Sequence, residues 1–284
     1  MRIDAHQHYW SMTRTDYGWI TPDLLALYRD FMPEDLDIHL QKHHIDGTIV
    51  VQAAPTIEET EYLLSLADRS DSILGVVGYL DLFNPAHRTH YEQFRKHPKF
   101  VGFRLMIQEM SDASRVLERS FVEALQEYAR EDIPVDLLVT SNQLEVLNEL
   151  LDAVPGLRGV IDHIGKPRIA EQAFEPWAAQ LERAAKHPKL YCKLSGMVTE
   201  ADHQAWKPEQ FRRYIEHALH AFGTDRVMFG TDWPVCLLAA SYDEVVGVLE
   251  GNLPDMWNEH ERAKLFGENA RAFYKLNELN SMPQ

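Results

Sequence analysis

The sequence predicts an α/β protein folded as a single closed (β/α)8 TIM barrel, and three observations lead there. Eight short β-branched or apolar runs alternate with longer amphipathic ones along the 284 residues. The short runs are continuously apolar, as in Thr48-Ile49-Val50-Val51, which suits parallel strands buried on both faces. No linker interrupts the alternation, so residues 1–284 are expected to form one barrel domain. An open, doubly wound sheet is the structural alternative. Against it, the first run ends in His6-Gln7-His8 rather than in a glycine fingerprint.

In chain order, strands are predicted at Ile3–His6, Thr48–Gln52, Ile73–Tyr79, Phe100–Met106, Val135–Val139, Leu157–His163, Leu190–Leu194 and Val227–Gly230. Residues 9–32 form a long first loop rich in aromatic side chains, expected to fold over the strand ends and wall a pocket. Pro33-Glu34-Asp35 makes a good first helical turn ahead of Leu36 and Leu40 on one face. Further helices are expected over Glu58–Arg69, Phe121–Arg130, Pro176–Lys186 and Pro208–Phe222. Leu144, Leu147, Leu151 and Val154 form another stripe, with Asn142 and Glu145 spaced as a capping box. Ser241 and Glu244 repeat that spacing before Val245, Val248 and Leu249. Residues 259–284 are expected to be a C-terminal helical tail.

Composition narrows the function. A formal charge of -16, from 44 acidic and 28 basic residues, argues against nucleic acid as a partner, because phosphate recognition needs concentrated Lys and Arg. A hydrophobic share of 45% and a charged share of 25% allow a large core and a soluble chain. Two cysteines, Cys192 and Cys236, are too few for a disulfide scaffold and suit a reducing cytoplasm. The N-terminus shows no signal-peptide pattern, and no apolar run approaches a membrane span. The expected partner is a small molecule.

In such a barrel, side chains at the C-terminal strand ends converge on one mouth. His6 and His8 leave the first strand two residues apart, so both imidazoles face the same side. Two inward histidines are expensive as core filling, although Asp4 and His6 as hydrogen-bonded polar core is the alternative. His163 closes the sixth strand, with the alternation placing Ile161 and His163 on one face and Asp162 on the other. Asp232 follows the eighth, where it suits a general base or a metal ligand better than a helix cap. Arg104 sits in an apolar run and needs a partner, either a substrate carbonyl or an ion pair to Asp136 or Glu109. Trp19, Gln52, Lys166 and Trp233 are candidates for holding a hydroxylated ring. Glu58 and Glu59 are balanced between that role and ordinary first-turn positions.

The segments Asp4-Ala5-His6-Gln7-His8, Asp162-His163-Ile164-Gly165-Lys166-Pro167, Lys193-Leu194-Ser195-Gly196 and Gly230-Thr231-Asp232-Trp233-Pro234 together resemble the amidohydrolase superfamily. The resemblance runs from Arg2 to about Leu276. More narrowly it resembles the branch of sugar lactonases and related lactone hydrolases, which includes fuconolactone and rhamnonolactone hydrolases and a pyrone dicarboxylate lactonase. It implies that His6, His8, His163 and Asp232 form the site and can hold one divalent ion, zinc by ligand type. Arg104 and Asp136 stand where two-metal members carry a carboxylated lysine and a histidine, which argues against a bridged two-metal centre. Members of this branch are also thought to turn over without metal. In that version Asp232 deprotonates water, while the histidines and Arg104 polarise the lactone carbonyl.

The expected activity is therefore hydrolysis of an aldonolactone of the L-fucono- or L-rhamnono- type. A pyrone dicarboxylate would require several converging arginines, and only Arg104 and Arg168 are available. A decarboxylase of the same superfamily and a non-catalytic binding barrel are the remaining alternatives.

Overall fold

The structure, a computed structural model, describes residues 1–276. Eight strands lie parallel in sequence order: β1 (Ile3–Gln7), β2 (Gly47–Val51), β3 (Ile73–Tyr79), β4 (Phe100–Met106), β5 (Val135–Leu138), β6 (Gly159–Ile161), β7 (Leu190–Leu194) and β8 (Val227–Phe229). Helices α1 (Pro33–Lys42), α2 (Ile57–Ala67), α3 (His87–Phe94), α4 (Arg119–Arg130), α5 (Leu144–Ala153), α6 (Trp177–Ala184), α7 (Glu209–Phe222) and α8 (Tyr242–Gly251) fill the connections. Two short helices, α9 (Glu259–Ala263) and α10 (Asn269–Phe273), follow. The α/β barrel predicted from the alternation is the fold observed. The last eight residues of the expected C-terminal tail, 277–284, lie outside the described residues.

Most local rules act where the sequence places them. Pro33 opens α1, Asp35 accepts from the Met32 N–H (2.9 Å), and Leu36 and Leu40 are buried. At α8 the Glu244 N–H donates to Ser241 Oγ (3.3 Å), while the Ser241 N–H donates to Glu244 Oε2 (2.7 Å). The box expected at Asn142 and Glu145 forms two residues earlier instead. There the Thr140 N–H donates to Gln143 Oε1 (3.0 Å), and a short 3-10 turn precedes Leu144. Helix α3 gave no sequence signal, because Tyr91 and Phe94 are its only buried residues and the rest are polar.

The main correction concerns β6. The strand stops at Ile161, and the chain enters a turn in which His163 (φ 55°) and Ile164 (φ 48°) adopt left-handed backbone. The period-two alternation ends there, so Asp162 does not face away from His163: both side chains point to the polar interior.

The two ends of the barrel differ. Where the strands begin, the C-terminal segment closes the barrel: Phe273 and Tyr274 pack on Ile3, Val160 and Met228. Lys275 pairs there with Asp132, just before β5 (3.0 Å). Where the strands end, polar groups gather. Among the described residues, no helix is long and apolar enough to cross a membrane.

Candidate active site

The gap between β8 and β1 is bridged by backbone rather than by a ladder of strand pairs. The Asp232 N–H donates to the His6 carbonyl (2.8 Å), and the His8 N–H donates to the Trp233 carbonyl (2.7 Å). Asp4 ties the same junction: its carboxylate accepts from the Thr231 N–H (3.0 Å), Thr231 Oγ1 (2.5 Å), the His6 N–H (3.2 Å) and Tyr242 Oη (3.2 Å). Burial pushes the Asp4 carboxyl up to about 6 against these donors. These bonds hold the His-Gln-His segment beside Asp232, which itself sits in left-handed backbone (φ 60°). Such conformations are costly for non-glycine residues and persist where surrounding bonds impose them.

Three imidazole Nε2 atoms converge on one carboxylate oxygen. Asp232 Oδ1 lies 3.2 Å from His8, 3.8 Å from His6 and 3.8 Å from His163. Two glycines make room for this approach. A Cβ on Gly196, whose φ is +60°, would sit 2.5 Å from His163 Nδ1, and one on Gly230 would sit 2.7 Å from His6 Cβ. Burial raises the Asp232 carboxyl, and the surrounding histidines more than reverse it, holding it well below the usual carboxylate range. Burial lowers His163 to about 4, against the pull of Asp232 and Asp162. At neutral pH the centre is therefore a carboxylate facing neutral imidazoles of His6 and His163, since burial and Lys193 push His6 down as well.

This donor set fits a divalent cation. The ligand atoms of His6, His8 and Asp232 lie within 4.8 Å of one another. His6 Nε2 is buried without a hydrogen-bond partner. His8 Nδ1 faces the Val51 carbonyl at 2.7 Å, so it carries its proton there and leaves Nε2 toward Asp232. His163 falls in a second group with His6 and Asp162 rather than in the first. Its Nδ1 is 2.9 Å from Ser195 Oγ.

Beneath the histidines lies a charged layer. Arg104 donates to the main-chain and side-chain oxygens of Gln52, the latter at 3.0 Å, and pairs with Asp162 at 3.5 Å. Its partner is thus neither Asp136 nor Glu109. Lys193, fully buried, contacts Asp136, Asp162 and His6, and Asp136 accepts from Tyr274 Oη (2.8 Å). Burial raises Asp162, but Lys193 and His6 outweigh it and hold the carboxylate ionised. Lys193 and Asp162 both stand in the motifs, but nothing in their spacing announces an ion pair between β7 and the turn after β6, 31 residues apart.

Above the histidines a cavity of about 310 Å³ opens to solvent. His8, His163, Asp232 and Arg104 line its floor. Its wall carries Trp19, Met106, Leu138 and Leu238 on apolar stretches, and Gln108, Lys166, Glu200 and His203 on polar ones. Lys166 donates to Gln108 Oε1 (2.9 Å) and pairs with Glu200 (3.3 Å). Of the aromatic first loop only Trp19 reaches the cavity, its Nε1 donating to the Ala53 carbonyl (2.8 Å). Tyr9, Trp10, Tyr17 and Phe31 are buried in the core instead. Two of the ring-binding candidates do not line the cavity. Trp233 is buried edge-on against Tyr9 and Phe31, and Gln52 is spent on Arg104. Glu59 is buried too, accepting from Tyr17 Oη (2.5 Å) and the Ala53 N–H (2.9 Å).

The amidohydrolase family model matches residues 3–276, nearly the whole barrel. The chain belongs to the amidohydrolase family. This amidohydrolase is 36% identical over 280 residues to an L-fucono-1,5-lactonase of Burkholderia ambifaria, covering 97% of this chain and 96% of that one. It is 37% identical over 288 residues to an L-fucono-1,5-lactonase of Burkholderia multivorans, covering 98% and 97%. A crystal structure of a Burkholderia multivorans amidohydrolase with bound zinc superposes with a TM-score of 0.91 at 36% identity, over 97% of this chain and 99% of that one.

Proposed function

We propose that this amidohydrolase opens the ring of a neutral, sugar-derived aldonolactone of the L-fucono- or L-rhamnono- type, with Asp232 as the base. The observation that carries the proposal is the convergence of three imidazoles on Asp232 Oδ1 at the floor of the cavity. An ionised carboxylate there orients a water and takes its proton as the lactone carbonyl is attacked. The oxyanion that develops is met by Arg104, whose guanidinium Gln52 and Asp162 hold at the cavity edge. The ring oxygen leaves as an alcohol by taking the proton from Asp232. His163, neutral and held by Ser195, keeps the carboxylate from rotating away. His6, His8 and Asp232 would hold a divalent ion, which when bound supplies Lewis-acid polarisation.

Two further observations support a neutral substrate. A cavity of about 310 Å³ is at the small end for ligand sites and suits a single hydroxylated ring. Lys166, the second cation on its wall, is already offset by Glu200, and Arg168 is paired with Glu171. A dicarboxylate would therefore find Arg104 alone, itself bonded to Asp162. The lactonase activity of the two Burkholderia relatives points to the same reaction class.

The test is a pH-indicator screen of aldono-1,4- and 1,5-lactones beside pyrone dicarboxylate, with carbon dioxide release followed in parallel. Acid production from neutral aldonolactones, lost in Asp232→Asn, is the expected result. Turnover confined to the dicarboxylate, or carbon dioxide without acid, would overturn the proposal.

A further inference from the structure

We infer that Lys193 is a positioning residue: it holds His6 in the tautomer that cannot bind a metal ion, and so weakens the site's grip on zinc. The inference rests on the reading above only in taking His6, His8 and Asp232 as the ligand group.

The Lys193 side chain is fully buried, and its ammonium has three N–H donors and no acceptor capacity. Three polar atoms surround it: Asp136 Oδ2, Asp162 Oδ1 at 3.2 Å and His6 Nδ1 at 3.0 Å. Asp136 and His6 are its hydrogen-bond acceptors, the latter because His6 Nδ1 offers a lone pair, whereas Asp162 Oδ1 is an ion-pair contact without hydrogen-bond geometry. The imidazole proton is then on Nε2, directed at the side of Asp232.

Asp162 Oδ1 stands 3.2 Å from the same His6 Nδ1 and favours the opposite arrangement, in which Nδ1 carries the proton and donates to the carboxylate. That arrangement would leave one ammonium N–H of Lys193 buried without an acceptor. The first arrangement leaves the neutral Nε2–H unpaired, but a buried charged donor without a partner is the costlier fault, and of the two contacts at Nδ1 only the one from Lys193 has hydrogen-bond geometry, so Lys193 prevails over Asp162. Lys193 has little freedom to turn aside, because Asp136 that grips it is itself fastened by Tyr274 Oη from the C-terminal segment (2.8 and 3.1 Å).

A metal ion binds the lone pair of a neutral imidazole nitrogen. His8 is ready for it: its Nδ1 is committed to the Val51 carbonyl at 2.7 Å, which frees Nε2. His6 is not. The two histidines of one His-x-His segment are held in opposite tautomers by different neighbours. Zinc binding at His6 requires its proton to move from Nε2 to Nδ1, where Asp162 accepts it and Lys193 gives up a bond. No proton enters or leaves the protein in that shift.

The experiment uses the metal-free full chain and needs no substrate, so it is decided separately from the lactonase proposal. Nitrogen-15 spectra of histidine-labelled protein report which His6 nitrogen is protonated, assigned by comparison with His6→Gln. Zinc affinity is measured by competition with a chromophoric chelator, in wild type and in Lys193→Met combined with Asp136→Asn, which keeps the core neutral. The expected results are an Nε2-protonated His6 in wild type and about 10-fold or greater tightening of zinc in the double variant, the scale on which neighbours of metal-bound histidines act. An Nδ1-protonated His6 in wild type overturns the inference, as does unchanged or weakened zinc binding in the folded variant. If the variant does not fold, the wild-type spectrum decides alone.

Discussion

The floor and the wall of the cavity are built on different principles. The floor is locked by main-chain bonds: Asp232 and His8 are hydrogen-bonded across the β1–β8 junction, and Asp4 clamps Thr231 between them. Its residues are 4% exposed or less, and its glycines admit no Cβ. The wall comes from loops, with Lys166, Gln108, Glu200 and Trp19 partly exposed; Lys166 joins Gln108 and Glu200 through side-chain bonds, and Trp19 is held by the Ala53 carbonyl. Rigid, dry groups are what proton transfer and charge stabilisation need, whereas a hydrated rim can change its ligand without disturbing the chemistry beneath.

If that division holds, a floor substitution lowers kcat and a wall substitution changes KM. The largest effect is expected at Asp232→Asn, which should reduce kcat by roughly 10²- to 10⁴-fold with a cooperative melting transition retained. Near-normal turnover would remove Asp232 from the base role. Gly196→Ala is expected next: the added methyl meets the His163 ring at 2.5 Å in left-handed backbone. It should cost roughly 1–3 kcal/mol of stability and lower kcat, measured by denaturant unfolding beside steady-state kinetics. An unchanged kcat would mean that the ring's place does not matter.

The floor also predicts a pH limb. His163 is neutral above about 4, so kcat/KM should stay level as pH falls toward 5 and drop as His163 takes a proton near 4. The same shift sets a stability slope. The folded pKa lies below the ordinary 6.5, so the unfolded chain binds more protons in between, and stability falls as pH drops from 6.5 to about 4. An acid limb near 6 instead would contradict the neutral assignment.

Wall changes should be gentler. Lys166→Met removes a donor from Gln108 and Glu200 and should raise KM by about 10-fold, the scale of one charge-assisted hydrogen bond, with kcat nearly kept. An equal fall in kcat would erase the distinction between floor and wall. Glu59→Gln, behind the wall, should leave kinetics unchanged and act on stability alone. Burial raises its carboxyl from 4.5 to about 7, so the folded state binds the extra proton and stability declines as pH rises across that window. The variant should reduce this decline and gain up to about 3 kcal/mol at pH 8, with none below pH 4.5. A gain confined to acid pH would reverse the sign and refute the assignment.

Much of the floor was legible in the chain, because its residues stand at the ends of apolar strands and strand ends share one face of a parallel barrel. The side chains of His6, His8, His163, Asp232 and Arg104 lie together there. Asp162 was misplaced because alternation holds only while the strand lasts, and the left-handed turn at His163 begins sooner than the apolar run ends. Trp233 and Gln52 were placed at the substrate by residue type. Their partners, Phe31 and Arg104, lie 202 and 52 positions away and had no local trace.

The sequence by itself determined the barrel, the order of its strands and the end at which the polar side chains gather, because hydrophobic period and strand-end position are properties of neighbouring residues. Only the tertiary structure decided which nitrogen faces which partner. Lys193 against Asp136, Asp162 and His6, and Val51 against His8, are contacts between separate strands in a buried interior. There each donor must find an acceptor across space, and no periodicity along the chain records which one it finds.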